Sequence, residues 1–131
     1  MTTIAYCGKY LASDTQAQSS YIRVGETQKI FKKNGKIYAG CGNYSSIKSF
    51  VEKKTELGED DVVFEIDPNT GKCIEHCKAG WYLSIPPVSI GSGCEIAMGA
   101  MMAGADAKKA VSIAIKLDTC SGGKVKSVKV K

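Results

Sequence analysis

The stretch TQKIFKKNGKIYAGC, residues 27–41, decides what kind of fold this chain adopts. Asn34 and Gly35 stand between its two halves, and both residues tolerate the positive φ angles that a two-residue hairpin turn demands. The runs TQKIFKK and KIYAGC therefore read as paired strands. By the period-2 rule of a strand, Lys29 shares a face with Thr27 and Phe31, so a lysine points the way a small and an apolar residue point. A cation placed like that needs a carboxylate, because an unpaired buried charge is costly. Asp14, in LASDTQ at the end of the preceding hairpin, supplies one.

That preceding hairpin is TTIAYCGKYLASD, which alternates around a turn at Gly8 and predicts strands over Ile4 to Cys7 and Lys9 to Ser13. The stretch TQAQSS then interrupts the pattern. Downstream the period changes at Tyr44: Ile47, Phe50, Val51, Lys54 and Leu57 fall on one stripe of a helix expected to end at Gly58. VVFEIDPNTGKCIEHC reads as another hairpin, turning through Asp67 to Gly71. After WYLSIPPVSIGSG, the run CEIAMGAMMAG is small and apolar on nearly all sides, which predicts a helix over Glu95 to Gly104 buried against two neighbours. DAKKAVSIAIKLD, from Asp106, predicts a second helix with Ala107, Ala110, Val111, Ala114 and Leu117 on its apolar face, and the basic KVKSVKVK forms a last strand. With no repeats or linkers, residues 1–131 form one domain of the α+β class, helices segregated onto sheet faces.

Composition excludes several function classes. Hydrophobic residues make up 44% of the 131 residues and charged residues 24%, as in an ordinary globular domain. No apolar run approaches the roughly 20 residues needed to span a bilayer. The start, MTTIAYCGKY, lacks the basic region and apolar core of an export signal, so a cytosolic location is expected. The six cysteines, Cys7, Cys41, Cys73, Cys77, Cys94 and Cys120, are accordingly read as reduced thiols rather than a disulfide framework. Cys73, His76 and Cys77 offer three soft ligands, but no second cluster completes a tetrahedral site, and neither metal nor other cofactor is expected. The net charge of +5 concentrates in KIFKKNGK and KVKSVKVK. It allows a nucleic-acid accessory role, yet no aromatic residues interleave with the tail lysines, and lysine-rich edge strands commonly guard against aggregation.

Chemistry enters at the second residue. Thr2 stands directly behind Met1, where removal of the initiator leaves a threonine carrying a free α-amine. A threonine hydroxyl needs a base within hydrogen-bond reach to become a nucleophile. Its own amine, which ordinarily titrates at about 7.7–8.0, can serve. Lys29 and Asp14 are the polar company it would keep.

TTIAY, the SD closing the second strand, TQKI and GKIYAGCGN resemble the N-terminal half of the HslV peptidase and the proteasome β-subunits, members of the N-terminal-nucleophile hydrolases. The similarity resumes through FEIDPNTG, SIGSGCEIAMGAMMAGADAKKAVSIAI and DTCSGG. It implies an αββα sandwich of two packed antiparallel sheets. It also implies that Thr2 is the nucleophile of a threonine-type peptidase, Lys29 the cation that stabilises its deprotonated hydroxyl, and Asp14 the group that fixes Lys29. Gly42 falls where the family uses a glycine N–H as oxyanion donor, although this chain has Gly42-Asn43 in place of adjacent glycines, so Asn43 N–H is the alternative. Ser92, Asp118 and Ser121 match the polar residues set around the threonine amine. Gly122-Gly123 also suits an ordinary helix cap. Thr27, Phe31 and Tyr44 would line the primary specificity pocket.

The resemblance also implies a protein or peptide substrate, a closed homo-oligomeric ring that hides the site, and an ATP-dependent unfoldase as partner. One departure bears on the fold. Where relatives carry a second helix beside the first, TELGEDDVVF runs straight into a strand, so one helical layer is expected to be reduced and the usual stacked double ring is put in question. If Met1 is retained, Thr2 has no free amine, and the chain is instead a catalytically inactive structural or assembly subunit.

Overall fold

The computed structural model describes residues 2–19 and 22–130. Met1, whose removal the catalytic reading requires, lies outside them. The chain opens with the expected hairpin, β1 (Thr3–Tyr6) and β2 (Tyr10–Ser13). TQAQSS, an interruption by its sequence pattern, instead contributes β3 (Gln16–Ser19), which pairs antiparallel with β4 (Ile22–Glu26) in a separate two-stranded ribbon. The Asn34-Gly35 turn joins β5 (Ile30–Lys33) to β6 (Lys36–Cys41), with φ of 50° and 75° at its two residues. There follow α1 (Tyr44–Lys53), β7 (Val62–Ile66), β8 (Cys73–Cys77), β9 (Gly80–Ser84) and β10 (Val88–Gly91). The last elements are α2 (Cys94–Met102), α3 (Ala107–Leu117) and β11 (Lys126–Lys129).

Two larger sheets result, one ordered β10-β1-β2-β11 and one ordered β5-β6-β7-β8-β9, and their neighbouring strands run antiparallel. Their inner faces meet in a core where Ile4, Tyr6 and Leu11 of the first pack on Ile37, Ala39, Phe64, Ile66 and Cys73 of the second. Burying a side chain such as Phe64 contributes about 1.5–3 kcal/mol. Outside the first sheet, Ala5 and Ala12 meet Ala97, Met101, Ala107, Ala110, Val111 and Ala114 of α2 and α3. Outside the second, Tyr38 and Val63 meet Ile47 and Val51 of α1, together with Leu57. The result is the αββα sandwich, with one helix on one side and two on the other.

The expectations for the helices need correction. The first helix ends at Lys53 rather than Gly58. Lys54 takes the left-handed cap (φ 56°), its N–H donating to Phe50 O at 2.9 Å, while its ammonium reaches Tyr38 OH at 2.7 Å. Leu57 reaches the same core from the following loop, not from the helical stripe. Leu117, expected on the buried face of α3, is exposed, because the helix ends there beyond the sheet. The helix expected to be buried nearly all round does have two neighbours, α3 and the sheet, yet Met102 at its end is exposed.

Candidate active site

Thr2 enters β1 from the rim where the two large sheets come together. It is 6% exposed, and its carbonyl lies 3.3 Å from Ser92 Oγ and accepts the Gly93 N–H at 3.5 Å. The end of β10 lies so close that a Cβ on Gly91 would fall 2.0 Å from that carbonyl oxygen, and one on Gly93 would fall 2.0 Å from Thr3 Oγ1. Only glycines let β10 approach the chain start in this way.

Asp14 ties three segments together. One carboxylate oxygen accepts Lys29 Nζ at 2.9 Å and the Thr3 N–H at 3.0 Å, and the other accepts the Gly122 N–H at 3.0 Å. The carboxylate has no solvent exposure and Lys29 is only 6% exposed. Lys29 and the Thr2–Thr3 peptide thus share one acceptor oxygen, and both Lys29 and Thr2 line the same cleft. Burial pulls the Lys29 pKa below the ordinary lysine value, while the Asp14 charge and hydrogen bond push the other way. Both partners are visible in the sequence. The third donor, the Gly122 backbone, is not, and it makes DTCSGG more than a helix stop: it brings the far end of the chain onto Asp14.

The remaining polar residues form a second chain of bonds. Asp118 Oδ2 accepts Ser92 Oγ at 2.5 Å and Ser121 Oγ at 2.6 Å, and Oδ1 accepts the Cys120 N–H at 3.1 Å. Since Ser121 gives its one proton to Asp118, the 2.7 Å contact between Ser121 and Thr3 has Thr3 donating. Burial opposes ionisation of Asp118, but the donations from Ser121, Ser92 and Cys120 outweigh it and hold its pKa below the usual carboxylate range. Sequence reasoning misses Thr3, because a fully buried threonine in a strand looks like filler.

A cleft of about 570 Å³ opens beside Thr2, lined by Thr27, Lys29, Phe31, Gly42 and Tyr44. Phe31 and Tyr44 form its aromatic wall, ring centroids 6.2 Å apart. A second cleft of about 870 Å³, lined by Gly42, Asn43, Asp61, Gly91 and Ser92, reaches Thr2 from the other side. The Gly42-Asn43 turn separates the two. Gly42 has φ 126°, a region that favours glycine. The Asn43 N–H donates to Asp61 Oδ1 at 2.8 Å and is thus already engaged. Every residue named from sequence for catalysis or pocket lining thus lies at this rim or in the bonded chains that support it.

The soft-ligand trio does not converge. Cys73 faces the other large sheet, whereas His76 sits on the α1 side with its ring 4.9 Å from Phe50 and Nε2 2.9 Å from Glu65 Oε1. Among the described residues no three His, Cys, Asp or Glu side chains come together as metal ligands.

No family model matches the sequence, and no curated protein matches it. Solved structures do. The BPH protein of Thiobacillus denitrificans in complex with epoxomicin superposes with a TM-score of 0.73 at 16% identity, over 99% of this chain and 98% of that one. BPH alone gives 0.71 at 17% identity over the same shares. The eukaryotic HslV from Trypanosoma brucei gives 0.72 at 16% identity, over 98% of each chain. Likeness at this level of identity establishes architecture: the chain has the HslV-type, N-terminal-nucleophile hydrolase fold.

Proposed function

We propose that the protein is a threonine-type peptidase whose nucleophile is Thr2, released by removal of Met1. The observation that carries this reading is the buried Lys29–Asp14 pair bonded to the same short segment as Thr2. The ammonium is held, through Asp14, against the peptide that follows Thr2, where it can stabilise a deprotonated hydroxyl on that residue.

In the reaction, the Thr2 hydroxyl gives its proton to its own α-amine and attacks the scissile carbonyl, with Lys29 stabilising the developing negative charge on Oγ. The carbonyl oxygen becomes an oxyanion facing the Gly42 N–H. One such donor is worth about 3–4 kcal/mol of barrier in other hydrolases. The tetrahedral intermediate collapses, the C–N bond breaks, and the leaving amine takes the proton from the Thr2 amine. Water then attacks the ester on Thr2 with that amine again accepting a proton, releasing the acid and restoring the hydroxyl. Ser92, Asp118 and Ser121 orient the amine, and Thr27, Phe31 and Tyr44 receive the side chain on the acyl side of the cleaved bond. The enzyme works in the cytosol as a homo-oligomeric ring on protein or peptide chains fed by an ATP-dependent unfoldase. Among the described residues no helix is long and apolar enough to cross a membrane.

Intact-mass measurement tests the proposal. The mature chain is expected to be lighter by one methionine and to gain one equivalent of epoxomicin, the compound seen in the BPH complex, on Thr2. Thr2→Ala is expected to reduce hydrolysis to background. Retention of Met1 with no labelling and no hydrolysis would leave a structural subunit instead.

A further inference from the structure

Asp61 belongs to none of the groups described above as catalytic, yet it is the most fully engaged carboxylate on the pocket side of the site. It stands at the end of the link between α1 and β7, in TELGEDD, the segment that runs straight into a strand without a second helix. It is 2% exposed. Its two oxygens accept backbone donors from two different turns: Asn43 N–H at 2.8 Å and Gly58 N–H at 2.7 Å. The Asp61 N–H in turn donates to Gly58 O at 3.2 Å, which closes the link into a tight loop. Gly42 lies directly on this carboxylate, since a Cβ there would fall 2.2 Å from Asp61 Oδ1 and 2.9 Å from its Cα.

A buried carboxylate held by backbone N–H groups is a costly way to close a loop that water and a glycine would close as well. What this one does in addition is fix the Gly42-Asn43 peptide, at φ 126° for Gly42, between the two clefts that flank Thr2. An oxyanion donor is effective only when it is aimed before the charge develops, and a shift of about 1 Å costs on the order of 10²-fold in rate.

We infer that Asp61 is a positioning residue: by accepting the Asn43 N–H it aims the neighbouring Gly42 N–H at the oxyanion, so the shortened α1–β7 link supplies a part of the catalytic apparatus. The inference rests on the peptidase reading, with Thr2 as nucleophile and Gly42 as donor.

Asp61→Asn tests it. The amide keeps one acceptor oxygen but turns an NH2 toward one of the two backbone donors, so the bridge that locks the two turns together is broken while shape is retained. In the Met1-processed full chain, kcat per labelled Thr2 is expected to fall about 10–100-fold with KM changed less than about 2-fold. Leu57→Ala supplies the control, because it removes a buried side chain from the same link without touching the carboxylate. At a matched loss of Tm, Leu57→Ala is expected to keep kcat. Equal kcat losses in the two variants, or an unchanged kcat in Asp61→Asn, would overturn the inference. If instead the processed wild type neither hydrolyses peptides nor labels on Thr2, it is the peptidase reading itself that fails.

Discussion

Across the outer face of β10-β1-β2-β11, α2 and α3 meet the sheet through alanines, whereas across the outer face of the five-stranded sheet α1 covers the β5–β7 side and stops. The first face is closed by residues so small that helix and sheet backbones approach closely. The second leaves Trp81 and Leu83 of β9, cross-strand partners of His76 and Ile74, on the α1 side but beyond the reach of that helix; they are 66% and 61% exposed. The groups assigned to catalysis divide unevenly between the two. Thr2, Asp14, Ser92, Asp118 and Ser121 all hang on the fully covered sheet or on the segment that follows α3, while Phe31, Gly42 and Tyr44 belong to the singly covered one. Groups that move protons must hold position to within fractions of an ångström, and stiff packing behind them supplies that. A pocket wall needs only shape. Lys29 and Gly42 are exceptions on the singly covered side, and each is tied down, Lys29 across the gap by an ion pair and the Gly42-Asn43 turn by Asp61.

Cutting that tie should produce the largest effect. Asp14→Ala removes the carboxylate that accepts from Lys29 Nζ and from the Thr3 and Gly122 N–H groups, and a stability loss of about 3–5 kcal/mol is expected by denaturant unfolding, with hydrolysis abolished. If Asp14→Ala unfolds at wild-type denaturant concentration, the two sheets are not joined through this pair. The covered face is tested next by Ala110→Leu. Ala110 has no exposure between α3 and the sheet, so the added carbons force the helix outward, at about 1–3 kcal/mol and with a measurable drop in Thr2 labelling rate. An unchanged labelling rate would mean that this packing does not hold the catalytic rim.

Much of this division was legible in the sequence. The Asn34-Gly35 and Gly8 turns, the change of period at Tyr44 and the alanines of residues 107–114 each leave a local signature, because turn chemistry and helical spacing act over a few residues. Lys29 was legible for a related reason: a charge among inward-pointing neighbours predicts its own partner. What stayed hidden depends on contacts distant in the chain. Gly91, Gly93 and Gly122 look like loop glycines until the approach of Thr2, Thr3 and Gln16 shows why no Cβ fits. Asp61 reads as one more acid in an acidic link, and Thr3 as a strand filler. The β3–β4 ribbon escaped because TQAQSS has no apolar alternation. The end of α1 was misplaced because a lysine, rather than the expected glycine, takes the left-handed cap.

A smaller effect separates the bonded chain around Asp118 from its packing. The pKa of Asp118 in the folded protein lies below its ordinary value of 3.8, so on acidification the unfolded chain takes up a proton first. Its stabilising contribution is therefore complete above the ordinary carboxylate range and is lost as pH falls through the lower folded value. Asp118→Asn is expected to cost about 1 kcal/mol at neutral pH, roughly one net hydrogen bond, with the Tm gap to wild type closing as pH falls below the ordinary carboxylate range. A gap that stays constant with pH would assign the loss to shape rather than charge.

The smallest effect is expected on the uncovered face. Trp81→Ser removes a large side chain that neither the core clusters nor α1 includes, so the stability of the isolated chain should change by no more than about 0.5 kcal/mol. Under the proposed ring, apolar surface of this kind, contiguous with Leu83 on an edge strand, is where a second copy would pair. The informative readout is thus the concentration dependence of the sedimentation coefficient. Loss of self-association in Trp81→Ser, with peptide hydrolysis by the residual oligomer retained, separates the surface that assembles from the face that holds the chemistry. A stability loss of several kcal/mol in dilute monomer would erase that separation, because it would make β9 a part of the core that its exposure says it is not.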